Sequence, residues 1–444
     1  MPNIKLEQSE TETYTSHAGM LLVGSCLNKH GNLDAICAPL GKGGEVSNAD
    51  LIRSYVGLLA QGKSDYEAIE NVRNDEIFQL SLGIKQVLSS SRQRQRFDEN
   101  ARTLIENVVT PCNIEMLKNL DVQITPLYTG HVQIDADASP FNNSGTKKEH
   151  VSWTYKNFDG YNPMFVYLGQ EGWSIAAELH PGSWNGQREF GFVIERAHET
   201  ARELTTLPLL WRLDSQHDAL DNLVQLVEQD GSDFIIKWNK RKESAHTWLK
   251  YAQELGHWCH WETPRPGKRV GTFTVYKERK HKGNTYTFRR IMRVTERNID
   301  NNGQMLLISE VEVEGWWTTL ESADAEVIAL YRDHATSEQF HSEFKTDMDL
   351  ERLPSGKFDS NDLVLNLGAL TYNILKHIGL CGLLDEDAPV RHSAKRRRIK
   401  TVMQELMYVA ARLIKRSRQL WLRFGKNCSA FSAFNKVYKR LVYE

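Results

Sequence analysis

The stretch His131-Val-Gln-Ile-Asp135-Ala-Asp137-Ala-Ser139 restricts the fold more than any other part of the 444-residue chain. Its residues alternate, which places Val132, Ile134, Ala136 and Ala138 on one face of a strand and Gln133, Asp135, Asp137 and Ser139 on the other. Two carboxylates on one side of a half-buried strand are expensive unless a cation, hydrogen bonds or solvent at an exposed edge satisfies them. Residues 164–168 and 173–179 read as the next two strands, joined by a Gly169-to-Gly172 turn. A helix from about 189 to 204 follows, and then the apolar run 207–213, a buried strand that ends at Asp214. Residues 215–228 form an amphipathic helix and 234–238 a further strand, so Asp214 stands at a strand-to-helix turn, where helix capping alone would also account for it.

The rest of the chain divides around this segment. Residues 1–20 are polar and expected to be poorly ordered, and 21–126 read as a helical, DNA-binding domain. Within it Ser47 is a candidate helix cap, and Arg92, Arg94 and Arg96 lie near the start of a helix that opens at Ser89. Residues 127–239 and 320–385 form the two parts of a catalytic α/β domain, separated by a β-rich insertion over 240–319. Trp258, Trp261, Trp316 and Trp317 cluster in that insertion, as core packing or as surfaces for stacking bases. Residues 386–444 read as a basic helical region, with Lys395, Arg396, Arg397 and Arg398 opening an amphipathic helix through Val402, Leu406, Val409 and Leu413.

Charge narrows the function. The formal net charge is −2, yet residues 391–444 carry 15 Lys and Arg against only Glu405 and Glu444, a local +13 that leaves −15 for the preceding residues. A segment this basic points to nucleic-acid phosphates. The six cysteines are scattered without a CxxC pair, which suits reduced thiols in a reducing compartment. His257-Trp-Cys259-His260 is too cramped for a structural zinc site. No apolar run reaches the roughly 18 residues of a membrane span and the first residues lack a signal-peptide pattern, so a cytoplasmic protein without membrane or nucleotide-cofactor partners is expected.

Late in the chain, Tyr331, His334, Glu338 and Lys345 fall within a helical sector about 60° wide. Taken alone such a stripe most often faces solvent. It acquires meaning from the element order, which is that of a ribonuclease-H-like domain: Asp137 on the first strand, Asp214 at the end of the fourth and Glu338 on a late helix. The first and fourth strands of that layout are neighbours, and three converging carboxylates can hold two Mg²⁺ ions, with Mn²⁺ as a substitute.

These residues also carry a resemblance. Tyr331-x2-His334-x3-Glu338-x6-Lys345 is similar to the Tyr-x2-Arg-x3-Glu-x6-Lys signature of DDE transposases from bacterial insertion sequences, departing from it at His334. Asp135-Ala-Asp137-Ala-Ser139-Pro-Phe, Ser144-Gly-Thr-Lys-Lys-Glu149, Phe158-Asp-Gly-Tyr161-x-Pro163, Tyr167-Leu-Gly169 and Arg212-Leu-Asp214-Ser215 resemble, in order, the insertion sequence thirteen-eighty group. The resemblance implies a Mg²⁺-dependent transposase of a bacterial, nucleoid-associated kind. Such an enzyme cuts at the terminal inverted repeats of an element and joins the freed 3′-hydroxyls to target DNA, acting as a homodimer on DNA. It implies Asp137, Asp214 and Glu338 as catalytic metal ligands, Asp135 as a further candidate ligand, Tyr331 and Lys345 as phosphate contacts, and Trp316 or Trp317 as a holder of a flipped base. A neutral imidazole at His334 cannot supply the bidentate charge of the Arg in the signature, a role that Arg332 could take over. The competing readings are a decayed or domesticated copy that binds DNA without cutting it, and a ribonuclease-H-like nuclease that hydrolyses without strand transfer.

Overall fold

A computed structural model describes residues 4–41, 44–187, 189–300, 303–333, 337–390 and 392–443. The fold is mixed α/β around one large mixed sheet. In chain order the strands are β1 (Thr13–Thr15), β2 (Val132–Ala138), β3 (Phe141–Asn142), β4 (Ser152–Trp153), β5 (Asp159–Tyr161), β6 (Met164–Leu168), β7 (Trp173–Glu178), β8 (Leu209–Leu213) and β9 (Ser232–Lys237). They continue with β10 (His260–Arg265), β11 (Lys268–His281), β12 (Asn284–Ile299), β13 (Met305–Thr318), β14 (Ala411–Arg416) and β15 (Gln419–Phe424).

The alternation in 131–139 becomes β2, whose apolar Val132, Ile134 and Ala136 are fully buried. Strands β7, β6, β2, β8 and β9 lie side by side, with β6 antiparallel to its two neighbours and β8 and β9 parallel to β2. The helices Phe190–Leu204 and Leu220–Glu228 make the crossovers into β8 and β9. At the other edge β9 pairs with the end of β13, so the four antiparallel strands β10 to β13 extend the same sheet to nine strands. Trp316 and Trp317 stand at that junction, opposite Lys237 and Ile236.

The helix Phe358–Gly382 is buried along nearly its whole length. It packs against β7, against the N-terminal helices Asn48–Leu59, Ser90–Leu104 and Thr110–Asn119, and against the C-terminal helix Phe431–Tyr443. A helix apolar on all sides needs cover on all sides. The segments 21–126 and 386–444 supply it, and their apolar side chains join one continuous core with the central sheet instead of forming domains with cores of their own.

Two terminal segments differ from the sequence reading. Residues 13–15 are a strand, paired with β14. The expected basic amphipathic helix stops early: residues 399–402 are helical, 403–407 form one wide turn, and 411–424 are the hairpin β14–β15. Ser417 and Arg418, both at positive φ (50° and 59°), make the two-residue turn that matches the twist of paired strands. The apolar spacing of Val402, Leu406, Val409 and Leu413 continues past the residue where the backbone changes period.

Candidate active site

The register of β2 and β8 brings two acids together. Asp135 lies opposite Arg212 and Ala136 opposite Leu213; one step further along these parallel strands stand Asp137 and Asp214. Their side chains are 24% and 30% exposed, open enough to meet a ligand. Asp214 Oδ1 accepts the Gln216 N–H at 3.0 Å, so it caps the turn Ser215–His217 while remaining at the strand end. Each of the two aspartates has a buried histidine beside it: His341 Nε2 stands 3.4 Å from Asp137 Oδ2, and His217 Nε2 3.6 Å from Asp214 Oδ1.

The phenols around the pair register its charge. Tyr331, at the end of the helix Asp324–Arg332, is pushed well up by burial and then by the carboxylates of Asp214 and Asp137. Tyr155 is pushed up to about 12 by burial and the same two acids, and its hydroxyl donates to the Ala138 carbonyl at 3.2 Å. Both phenols therefore stay protonated at neutral pH as hydrogen-bond donors beside a concentrated negative charge. Lys345 is lowered by burial, with Lys156 adding to the shift and Glu351 and Asp137 opposing it; its ammonium lies 5.5 Å from the centre of the Phe141 ring.

Asp135 is corrected from a candidate metal ligand to a buried structural ion pair. Arg212 Nε and Nη2 reach its two oxygens at 2.7 and 2.6 Å, and Nη1 donates to the Leu330 carbonyl at 2.8 Å. The guanidinium thus occupies both carboxylate oxygens and ties β2 and β8 to the helix that presents Tyr331.

Glu338 is exposed, on the short helix Ser337–Ser342. The expected single stripe is divided: Tyr331 belongs to one helix, Glu338 to the next, and Lys345 to the wide turn Glu343–Asp347. His334 lies outside the described residues. Arg332 lines a cleft shared with His260, Glu262 and Arg293 of the β10–β12 ribbon. Among the described residues no three His, Cys, Asp or Glu side chains are gathered tightly enough to hold a metal ion. The Asp137 and Asp214 pair is nevertheless of the right chemistry for one, because hard carboxylate oxygens in a partly solvated position suit Mg²⁺ or Mn²⁺.

Several sequence candidates are occupied within the fold. Trp316 and Trp317 are buried and are corrected as base-stacking candidates. Trp317 Nε1 donates to Asp218 at 3.0 Å, and the Arg290 guanidinium sits 4.7–4.9 Å from the ring centres of Trp238, Trp248 and Trp317. An arginine buried beside apolar strands gains from such aromatic faces. Arg96 is buried and donates to the Val46 carbonyl and Asn48; Arg94 pairs with Glu67 at 2.6 Å, and Arg92 bonds Gln95 at 2.5 Å. Arg396 pairs with the buried Glu343 at 2.7 Å, Arg397 donates to the carbonyls of Leu383 and His392, and Arg398 pairs with Asp347 at 2.7 Å. These three arginines fasten the C-terminal segment to the core. Lys395 lines a cavity with Gln133, Gln170 and Glu171.

Reading the residues missed Arg212 as a partner, Tyr155, His217 and His341. Arg212 had a signal, since an arginine inside the apolar run Leu209-Leu-Trp-Arg-Leu213 demands an acid on a neighbouring strand.

No helix among the described residues is long and apolar enough to cross a membrane. All six cysteines are free thiols. The solved structure of the piggyBac transposase synaptic complex with hairpin DNA is similar, with a TM-score of 0.44, 11% sequence identity, and coverage of 90% of this chain and 82% of that one. No curated protein matches the sequence. The family model described as transposase DDE domain group 1 matches residues 3–443, and the chain accordingly belongs to this family of DDE-domain transposases.

Proposed function

We propose that the protein is a metal-dependent DNA transposase that cuts at the terminal inverted repeats of an insertion sequence and joins the 3′-hydroxyl strands to target DNA, with Asp137, Asp214 and Glu338 as its catalytic acids. The observation that carries this reading is the placement of Asp137 and Asp214 at adjoining ends of the parallel strands β2 and β8, in a chain whose family is that of DDE-domain transposases. The strand order β7-β6-β2-β8-β9, with β6 alone antiparallel, supports a ribonuclease-H-like core.

Asp137 and Asp214 would hold the ions from the sheet, and Glu338 would complete the set from the helix Ser337–Ser342. Mg²⁺, when bound, supplies activation of the attacking water or 3′-hydroxyl and stabilisation of the leaving oxygen. The chain's own groups do the rest. His341 and His217 flank the two aspartates and limit their rotamers, the Asp135–Arg212 pair fixes the two strand ends, and the protonated Tyr331 donates to a phosphate oxygen. Lys345, close enough to feel the Asp137 charge, supports the same phosphate. Assembly as a homodimer on DNA would bring two element ends together, and the motif order favours the insertion sequence thirteen-eighty group.

Incubating the protein with a labelled duplex carrying the repeat that brackets its gene, Mg²⁺ and a target plasmid tests the reading. Joined product is the expected result. Cleavage without joining would make the protein a nuclease, and binding without cleavage a decayed copy.

A further inference from the structure

The sheet formed by β1, β14 and β15 has two unlike faces. Cross-strand pairing places Thr15, Ala411, Leu413, Leu422 and Phe424 on the face toward the core, where Phe424 packs on Phe431 and Phe434 at ring-centre distances of 5.3 and 4.9 Å. The opposite face carries the rows Tyr14–Arg412–Arg423, Ile414–Trp421 and Arg416–Gln419. It points to solvent: Tyr14 is 59% and Trp421 48% exposed, and the tip from 415 to 421 is exposed on both sides.

This face is cationic without relief from its own strands. Residues 411–426 hold six Lys and Arg and no acid. Arg412 pairs with Glu12 at 2.6 Å and Lys415 with Glu76, whereas among the described residues Arg416, Arg418, Arg423 and Lys426 form no ion pair. Arg412 stands directly opposite Arg423, a like-charge placement that costs stability in a sheet and is relieved by an anion lying across both. Arg416 lies over the Trp421 ring at 5.3 Å, which holds its guanidinium near the turn.

We propose that the β14–β15 ribbon is a duplex-DNA grip that enters the major groove. Its tip brings Arg416, Arg418 and Gln419 to base edges, while Arg412 and Arg423 bind the flanking phosphates. A two-stranded ribbon fits the major groove, and Arg and Gln are the side chains that read guanine and adenine there. The proposal rests on the reading of the chain as a DNA transposase and supplies a site where such an enzyme holds DNA away from the acids that cut it. The cations at 396–398 cannot serve in this way, since the fold uses them.

Fluorescence anisotropy of the full chain on a short fluorescein-labelled duplex of mixed sequence, and on one of its single strands, tests the ribbon across a salt series. The variant Arg416→Gln with Arg423→Gln is expected to bind the duplex at least about tenfold more weakly and to flatten the log–log salt slope by roughly 1.8, the amount for two lost phosphate contacts. Arg416→Lys with Arg423→Lys should keep the slope. If the glutamine pair lowers the melting temperature, Arg418→Gln with Lys426→Gln, outside the strand pairing, repeats the measurement. Unchanged affinity and slope in a variant that melts like wild type overturns the proposal, as does a loss confined to the single strand. End cleavage is scored separately. A chain whose ribbon variants lose the duplex but whose wild type never cuts keeps the ribbon and loses the catalytic reading.

Discussion

The middle and the end of β2 carry the same side chain on the same face and put it to opposite uses. Asp135 is shut in by a bidentate arginine from the neighbouring strand, while Asp137, two residues on, stays partly open beside Asp214. The difference comes from what each meets across the sheet, Arg212 in one case and the end of a parallel strand in the other. A buried ion pair aligns the strands, and the acid just past it is held at a fixed place without a cation of its own strand pair to neutralise it. An alternating pattern with two acids thus contains one structural and one reactive carboxylate, and the identity of the opposing residue tells them apart.

That contrast can be broken experimentally. Asp137→Asn should lower end cleavage by on the order of a thousandfold while leaving the melting temperature near that of wild type, because it removes a group that acts on charge in the reaction and not in the core; equal loss of fold and activity would place Asp137 with Asp135. Arg212→Met should do the reverse in origin. It leaves a buried carboxylate without its partner, at a cost of roughly 3–5 kcal/mol in chemical denaturation, and any loss of cleavage should follow the loss of folded protein.

A third carboxyl sharpens the comparison at a smaller scale. Asp362 lies at a narrow cleft between the helix Phe358–Gly382 and β7, and its Oδ1 accepts the Leu179 N–H at 2.9 Å and the Asn366 amide at 3.3 Å. Burial pushes it up to about 7, with the charges of Glu178 and Asp359 adding to the effect. The folded protein therefore holds this proton more tightly than the unfolded chain. The associated stability is fully present below the ordinary carboxyl value of about 4 and is lost as pH rises through about 7. Asp362→Asn should raise the melting temperature at about pH 8 by a few degrees, with the gain shrinking toward pH 5; an equal change at both values would remove titration as its cause.

The central strand and its acids were legible because a period of two is unambiguous when the polar positions are all carboxylate, amide or hydroxyl. The Asp137–Asp214 pairing was legible for the same reason, since parallel neighbours end together. The C-terminal ribbon was not: Val402, Leu406, Val409 and Leu413 keep helical spacing, and only the Ser417-Arg418 turn, at a positive φ that neither residue advertises, shows the change to strands. The tryptophans failed as stacking surfaces because the sequence gives no sign that Arg290 and Asp218 converge on them from 27 and 99 residues away. The Glu338 stripe failed as a single helix because periodicity cannot report a division after Arg332.

The most direct test of the account is Glu338→Gln in the full chain, with binding and cleavage of the terminal-repeat duplex followed in parallel in Mg²⁺. The account predicts wild-type binding with cleavage reduced on the order of a thousandfold, the loss expected when one of three acids is removed. Cleavage retained at the wild-type rate would contradict it.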